Sequence, residues 1–310
     1  MKKILVIKHG SLGDMAFALP SMMSIRTKYP DSLIDLLTEN FFSSFLKKSN
    51  IFNEILIDNR KNSYFKSLAN ILNLIKNNYD LIIDLQNSKR TSIYNFLFRF
   101  IGQSLICSSR SFAQIRYRIP SQGKEKATTG LANQLSLLKI NTIKSPNYDW
   151  LKINLDNKFP DRLVLFIPGV SKKNIHKQWQ PENFAKLAKY CESKKYTICV
   201  VGTEQDTSSI KPILNVCDHV INKIDTSPPE VVYSIALKSS LIFSNDTGPG
   251  HIASLSNKNI VWLLNDNSVS KANIGNNIYN HKILSDSVKK ITPESVINYI
   301  NNSKLLEIPN

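Results

Sequence analysis

The feature that most constrains this chain is an alternation of short apolar runs with amphipathic segments, interrupted once near the middle and then resumed. Residues 3–8 (KILVIK) read as a buried strand, and residues 15–29 as the helix that follows. Further strands are predicted at 33–37, 54–57 and 81–85 (LIIDL), and further helices at 39–48, 64–76 and 92–100. In the 64–76 segment Phe65, Leu68, Ile71, Leu72 and Ile75 recur at helical spacing. Apolar strands separated by helices indicate parallel strands covered on both faces. Residues 140–161 break the pattern with Pro146, Pro160 and several Asn and Asp, which places a linker there. The alternation restarts with strands at 163–167, 197–201, 241–243 and 260–264. Helices are predicted at 181–193, from about 204, at 229–238 and at 251–255. A closing helix is predicted at 292–302, with Thr292 as N-cap and Pro293 at its first position. The expectation is an α/β chain of two doubly wound domains, residues 1–155 and 156–310.

A length of 310 residues, 42% of them hydrophobic, suits two cores. No apolar run approaches the ~20 residues of a membrane span. The stretch 4–7 is cut off by Lys8 and His9, short of the roughly 7–15 residues of a signal-peptide core. The expected location is the cytoplasm, with peripheral attachment to the inner face of the cytoplasmic membrane. Cys107, Cys191, Cys199 and Cys217 form no C-x-x-C pair and read as reduced, buried thiols, which excludes a zinc cluster or disulfide framework. The formal charge of +16 is unevenly divided. Residues 1–155 carry 22 Lys and Arg against 10 Asp and Glu (+12), and residues 156–310 carry 18 against 14 (+4). A basic half beside a nearly neutral one suits nucleic acid, an acidic membrane surface or a phosphorylated glycan, and also a merely solvated lysine-rich surface. No helix-turn-helix, RNP or zinc-finger pattern is present, so nucleic acid is not an expected partner.

In open parallel sheets ligands bind beyond the carboxyl ends of the strands. Four loops there carry candidate chemistry. Residues 9–14 (HGSLGD) hold two glycines for a tight turn and end on Asp14, a carboxylate at a helix start that suits either proton transfer or capping. Residues 84–90 (DLQNSKR) place Asp84 at a strand end before polar and basic residues, a site for hydroxyls and phosphates or again a cap. Pro168, Gly169 and Ser171 followed by Lys172, Lys173, His176, Lys177 and Trp179 make a phosphate cradle that does not match the P-loop pattern. Residues 244–251 (SNDTGPGH) combine a strand end with a helix start, where backbone N–H groups favour an anion. Asp246 there suits a ribose or sugar hydroxyl and His251 a phosphate, although a capping turn with no ligand uses many of the same residues. Two phosphate-friendly loops in the second domain, with an acid in the first, favour nucleotide binding.

These residues also resemble a known family. Residues 3–20 (KILVIKHGSLGDMAFALP) look like the opening signature of the lipopolysaccharide heptosyltransferases, glycosyltransferase family nine. Residues 80–86 (DLIIDLQ), 168–184 (PGVSKKNIHKQWQPENF) and 244–253 (SNDTGPGHIA) resemble its other three signatures, in the family's order. The resemblance implies a GT-B fold, two Rossmann-like domains around a central cleft, with the acceptor on the first and the nucleotide-sugar on the second. It implies Asp14 as general base and Lys177 as a contact to the donor's phosphates. Ser171, Asp246, Thr247, Gly248 and His251 match the donor-binding side, and Gly13, Gln86 and Arg90 the acceptor side. Three departures stand out: Asn87 replaces the family's usual glycine, Gly250 stands where a bulkier residue is common, and Gln180 separates Trp179 from Pro181.

The expected reaction is sugar transfer with inversion, in which Asp14 takes the acceptor's proton and Lys177 meets the charge of the departing nucleoside diphosphate. No D-x-D pair is present to hold a divalent ion on the diphosphate, so a metal-free mechanism with no cofactor is expected. The resemblance implies ADP-heptose as donor and an anionic glycolipid, the lipopolysaccharide inner core, as acceptor. Arg110, Arg116, Arg118, Lys124 and Lys126 cluster in a poorly patterned stretch that reads as a mobile loop, and Arg116 and Arg118 are expected to touch that acceptor. Two rival readings are a sugar-nucleotide epimerase of similar architecture and a non-catalytic binder of anionic surfaces.

Overall fold

A computed structural model describes residues 2–58, 64–120, 125–155, 159–266, 274–275 and 277–306, with Tyr64 described by its backbone alone. The chain divides into two compact units, Met1–Trp150 and Leu151–Asn310. The division falls five residues before the expected 155/156 boundary, with residues 151–155 in the second unit. The Ile153 N–H donates to Ser234 Oγ of that unit at 2.9 Å.

The first unit runs β1 (Lys3–Ile7), α1 (Leu12–Lys28), β2 (Leu33–Thr38), α2 (Asn40–Lys47), β3 (Glu54–Ile57), α3 (Tyr64–Ile75) and β4 (Leu81–Asp84). It continues through α4 (Lys89–Phe100), β5 (Leu105–Ser108), β6 (Ile115–Arg116) and α5 (Ala127–Ser136). Its six strands lie in the order β3-β2-β1-β4-β5-β6, all parallel. The central strand β1 pairs Ile4 with Ile34 on one side and Leu81 on the other. Leu5, Ile7, Leu37, Ile82, Tyr94 and Phe98 form the core between sheet and helices. Each such side chain contributes about 1.5–3 kcal/mol by leaving water.

The second unit runs β7 (Leu163–Ile167), α6 (Pro181–Ser193), β8 (Thr197–Gly202), α7 (Thr207–Val216), β9 (Val220–Ile224), α8 (Pro229–Lys238) and β10 (Leu241–Asn245). It ends with α9 (Gly248–Ser254), β11 (Ile260–Asn265), β12 (Asn280–Ser285) and α10 (Pro293–Asn302). The parallel order is β12-β11-β10-β7-β8-β9. Its core holds an aromatic cluster among aliphatic side chains: Phe166 and Phe243 lie 5.1 Å apart, and Trp179 meets Phe184 edge-on at 4.8 Å. In both units the strand order reverses beside the first strand, between β1 and β4 and between β7 and β10. Ligands of open α/β sheets bind at such switch points, and all four candidate loops follow these four strands.

Several elements differ from expectation. Helix α1 starts at Leu12, α4 at Lys89 and α9 at Gly248, each three residues or so earlier than apolar spacing places them, because polar caps precede them. Ser88 Oγ, for instance, accepts from the Thr91 N–H at 3.1 Å. The helix expected from 204 is a 3-10 turn, Glu204–Asp206, that leads into α7. Strands β5, β6, β9 and β12 and helix α5 were not expected. The stretch expected as a mobile loop contains β6, and the Tyr117 hydroxyl pins it to the Glu125 carboxylate at 2.7 Å. Lys124 lies outside the described residues. Among the described residues no helix is long and apolar enough to cross a membrane. All four thiols are free and buried, and burial pushes Cys107 and Cys199 up to about 12.

Candidate active site

In the first unit the chain leaves β1 through Gly10, whose φ of +101° and tight approach to the Phe42 ring leave no space for a Cβ. Ser11 then caps α1 in extended conformation, and Asp14 is the third helical residue. The Asp14 carboxylate accepts from the Ser11 N–H at 2.9 Å and the Ser11 hydroxyl at 3.1 Å, both on Oδ2. Capping and chemistry are therefore compatible, since one oxygen serves the helix while the exposed side chain lines a cavity of about 300 Å³. Its wall also includes Lys8, Phe17, Gln86, Tyr117, Glu125 and Lys126. Gly13 is buried in the same turn. Gln86 joins the β4 loop to the β1 loop, its Oε1 accepting from the His9 N–H at 3.0 Å.

Asp84 is fully buried and turns inward. Its Oδ1 accepts from the Gln86 and Asn87 N–H groups at 3.0 and 2.9 Å, and its Oδ2 from Asn95 Nδ2 and Ser108 Oγ at 3.0 and 3.1 Å. It shapes the turn after β4, while Ser88 caps α4. Asn87 has φ +52°, a left-handed conformation that glycine and asparagine tolerate best, which accounts for the exchange at this position. Its side chain adds bonds glycine cannot make, to Gln134 Oε1 at 2.7 Å and from the Ser109 N–H at 2.8 Å.

Arg90 donates through Nε to the Tyr94 hydroxyl at 2.6 Å and through Nη2 to Ser67 Oγ. Tyr94 and Ser67 in turn donate to Asp58, at 2.7 and 2.9 Å, and His9 Nε2 lies 3.0 Å from the same carboxylate. Burial alone raises the Asp58 carboxyl, but the hydrogen bonds from His9, Tyr94 and Ser67 outweigh it and bring it down to about 2. Sequence reasoning missed this network, because His9 and Asp58 are 49 residues apart and no short motif links them. Arg116 and Arg118 are exposed, and Arg116 Nε reaches Ser109 O at 3.4 Å. Neither lines the cavity, whereas Lys126 does.

In the second unit Ser171 opens a 3-10 turn, Lys172–Lys177, and accepts from Asn174 through both its backbone and its hydroxyl. Lys172, Lys173 and His176 point to solvent. Lys177 sits with Nζ 2.7 Å from Asp246 Oδ2, and His251 Nε2 lies 3.0 Å from Asp246 Oδ1. Burial works to raise the Asp246 carboxyl, yet the His251 contact and the Lys177 ammonium hold it well below the usual carboxylate range. Asn245, buried at the end of β10, fixes the two loops together: its Oδ1 accepts from the Trp179 N–H at 3.0 Å and its Nδ2 donates to Pro168 O at 2.7 Å. Trp179 is further locked by donating to Ile291 O at 2.7 Å, while Gln180 serves as the N-cap residue of α6.

Thr247 caps α9 in extended conformation, and Gly248 begins it. A Cβ on Gly250 would collide with Ser244 Oγ and the Trp262 ring, so a bulkier residue is excluded here. The His251 ring packs on Trp262 at 5.0 Å. The structure thus brings Lys177, Asp246 and His251 together beside Thr247 and Gly248, and leaves Ser171 bonded within its own turn. Among the described residues no group of three or more His, Cys, Asp or Glu side chains is placed to hold a metal ion.

Comparison with known proteins follows the same lines. Residues 68–264 match the model of Glycosyltransferase family 9 (heptosyltransferase). The chain is 24% identical over 284 residues to lipooligosaccharide heptosyltransferase 2 of Haemophilus ducreyi, covering 83% of this chain and 80% of that one. It superposes on the glycosyl transferase family 9 protein of Veillonella parvula with a TM-score of 0.80 at 17% identity, over 98% of this chain and 97% of the other. For the ADP-heptose LPS heptosyltransferase II of Escherichia coli the TM-score is 0.75 at 18% identity, over 99% and 98%. The fold is the GT-B fold of those enzymes.

Proposed function

Because the chain belongs to glycosyltransferase family 9 and is a glycosyltransferase, we propose that it moves a heptose, with inversion, from ADP-heptose to a hydroxyl of an anionic glycolipid such as the lipopolysaccharide inner core. The observation that carries the mechanism is Asp14, an exposed carboxylate whose Oδ2 is held by Ser11 at the mouth of β1, on the wall of the cavity. Such a carboxylate takes the acceptor's proton as its oxygen attacks the anomeric carbon. Electrons then pass from the breaking glycosidic bond to the diphosphate oxygen. Lys177, His251 and the N–H groups at the start of α9 meet that charge, with Asp246 holding the two side chains in position. Pro249 brings no N–H to the start of α9, so the side chains carry more of this stabilisation.

The heptose and its ADP carrier rest on the kinship with heptosyltransferases, one of which is an ADP-heptose enzyme. The anionic acceptor rests on the +12 balance of residues 1–155, and the first unit is the proposed acceptor side, the second the donor side. Gln86 and Arg90 are the proposed acceptor contacts, Arg90 being held in place by Tyr94 and Ser67, and Arg116 and Arg118 are proposed as further ones.

The test is the rate of transfer by the parent chain and by Asp14→Asn, both in EDTA. The parent should remain active, and the variant should bind donor yet transfer about 10²–10⁴-fold more slowly. Near-parental transfer by the variant would reduce Asp14 to a helix cap. A parent inactive in chelator and restored by magnesium would overturn the metal-free mechanism.

A further inference from the structure

The cavity beside Asp14 holds a second carboxylate, to which the transfer mechanism gives no task. Glu125 lies just before α5, whose N-cap residue is Lys126, and stands on the same cavity wall as Asp14. Tyr117, directly after β6, sets its place: the phenol lies 2.7 Å from both Glu125 oxygens. Asn133, further along α5, donates through Nδ2 to Glu125 Oε1 at 2.5 Å and to the phenol oxygen at 3.3 Å. Helix α5 makes room for this carboxylate with a glycine in its interior, where glycine weakens a helix. A Cβ on Gly130 would stand 3.1 Å from Glu125 Oε2, closer than a Cβ ordinarily comes.

A carboxylate held in this way has acceptor capacity left. Ionised, it offers about four lone-pair sites. Among the described residues only the side chains of Tyr117 and Asn133 donate to it. Asp58 and Asp84, which hold loops, are buried away from the cavity, whereas Glu125 is half-buried and lines it. Charge then narrows what Glu125 meets. Among the described residues the wall carries two cations, Lys8 and Lys126, against two carboxylates, Asp14 and Glu125, a balance with no net attraction for an anion. Phe17, Leu85, Ile119 and Leu131 supply its apolar part. An apolar wall with a few fixed polar groups suits a small uncharged ligand. Arg90, Arg116 and Arg118 are not on this wall.

We propose that Glu125 selects the acceptor ring: its carboxylate accepts hydrogen bonds from hydroxyls of an uncharged sugar ring whose attacking hydroxyl faces Asp14, and it disfavours a phosphate on that ring. The inference deepens the transfer reading and rests on it for the role of Asp14. The acceptor's negative groups then lie outside the cavity, where the exposed Arg116 and Arg118 stand. The test is equilibrium binding, by calorimetry without donor, of two lipopolysaccharide-core oligosaccharides that differ only in a phosphate on the terminal ring. The parent should bind the unphosphorylated form roughly tenfold more tightly. Glu125→Gln keeps the side chain's size and an oxygen for Tyr117 and Asn133, so the fold is retained. It should bind the unphosphorylated form about tenfold less tightly and bring the ratio of the two affinities close to one. A role confined to holding the loop would weaken both forms alike and leave the ratio unchanged. In transfer assays the variant should raise the Michaelis constant for the unphosphorylated acceptor and change kcat little. A parent that binds both forms equally, prefers the phosphorylated one or binds neither would overturn the proposal, and so would a variant with the parent's ratio. The expected selectivity without any transfer from ADP-heptose would instead contradict the transfer reading and uphold Glu125 as the group that selects the ring.

Discussion

At the scale of single residues, the carboxylates of the first unit divide between surface and interior. Asp14 is exposed, as its proposed role as base requires, while Asp58 and Asp84 are buried and hold the loops around it. Asp58 has a measurable consequence. Its carboxyl is brought from an ordinary 3.8 to about 2, a depression that stabilises the folded state by roughly 2 kcal/mol at neutral pH. A depressed carboxyl contributes fully above the unfolded pKa and loses that contribution as pH falls through the folded one, so the loss falls between about pH 4 and pH 2. Asp58→Asn should therefore lower stability at pH 7 and show a shallower loss over that acid window than the parent, followed by urea unfolding at each pH. Parallel acid profiles for the two chains would place the titrating group elsewhere. Asp14, Lys177 and Asp246 were singled out in the sequence because each lies in a loop or helix start that follows a strand. The inward roles of Asp58 and Asp84 were not, because their partners come from the loop after β1 and from α3, α4 and β5, and only the folded sheet brings these together.

At the scale of elements, α9 is the most constrained. Glycine inside a helix ordinarily gives way to alanine with a gain of about 1 kcal/mol. Gly250→Ala should reverse that sign, because its Cβ would enter space held by Ser244 Oγ and the Trp262 ring. A loss of about 1–3 kcal/mol is expected, read as a lower melting temperature, and a melting temperature at or above the parent's would show that the turn can yield. Elements that fill the middle of each sheet were plain from sequence, since β1, β4, β7 and β10 each hold a run of at least three consecutive apolar residues. The strands that escaped notice lie at or beside the edges. β6 has two residues, β9 (VINKI) and β12 (NHKILS) are half-exposed and carry polar side chains, and β5 is a short run next to β6. Helix α5 (ATTGLANQLS) was hidden by its glycine and threonines, and it buries little more than Leu131, Gln134 and Leu135. Edge elements need less apolar surface, so hydrophobic pattern fades where the sheet ends.

At the scale of the whole molecule, the uneven charge is the property that function should expose. Charges in water are screened beyond a Debye length of about 8 Å at physiological salt. The Michaelis constant for a phosphorylated acceptor should rise with salt, while that for the donor, whose proposed contacts are the partly buried Lys177–Asp246–His251 group, should change less. Arg116→Ala with Arg118→Ala should likewise raise the acceptor constant and leave the donor constant nearly unchanged, and equal effects on both would make the positive charge a solvated surface only. The central claim is that this chain transfers a sugar rather than rearranging or merely holding a nucleotide-sugar. Its most direct test is nucleoside diphosphate released from ADP-heptose, measured with and without a lipopolysaccharide-core acceptor. The account predicts release that depends on the acceptor and matches the glycosylated product one for one. Donor turnover at the same rate without acceptor, or none with it, would contradict the account.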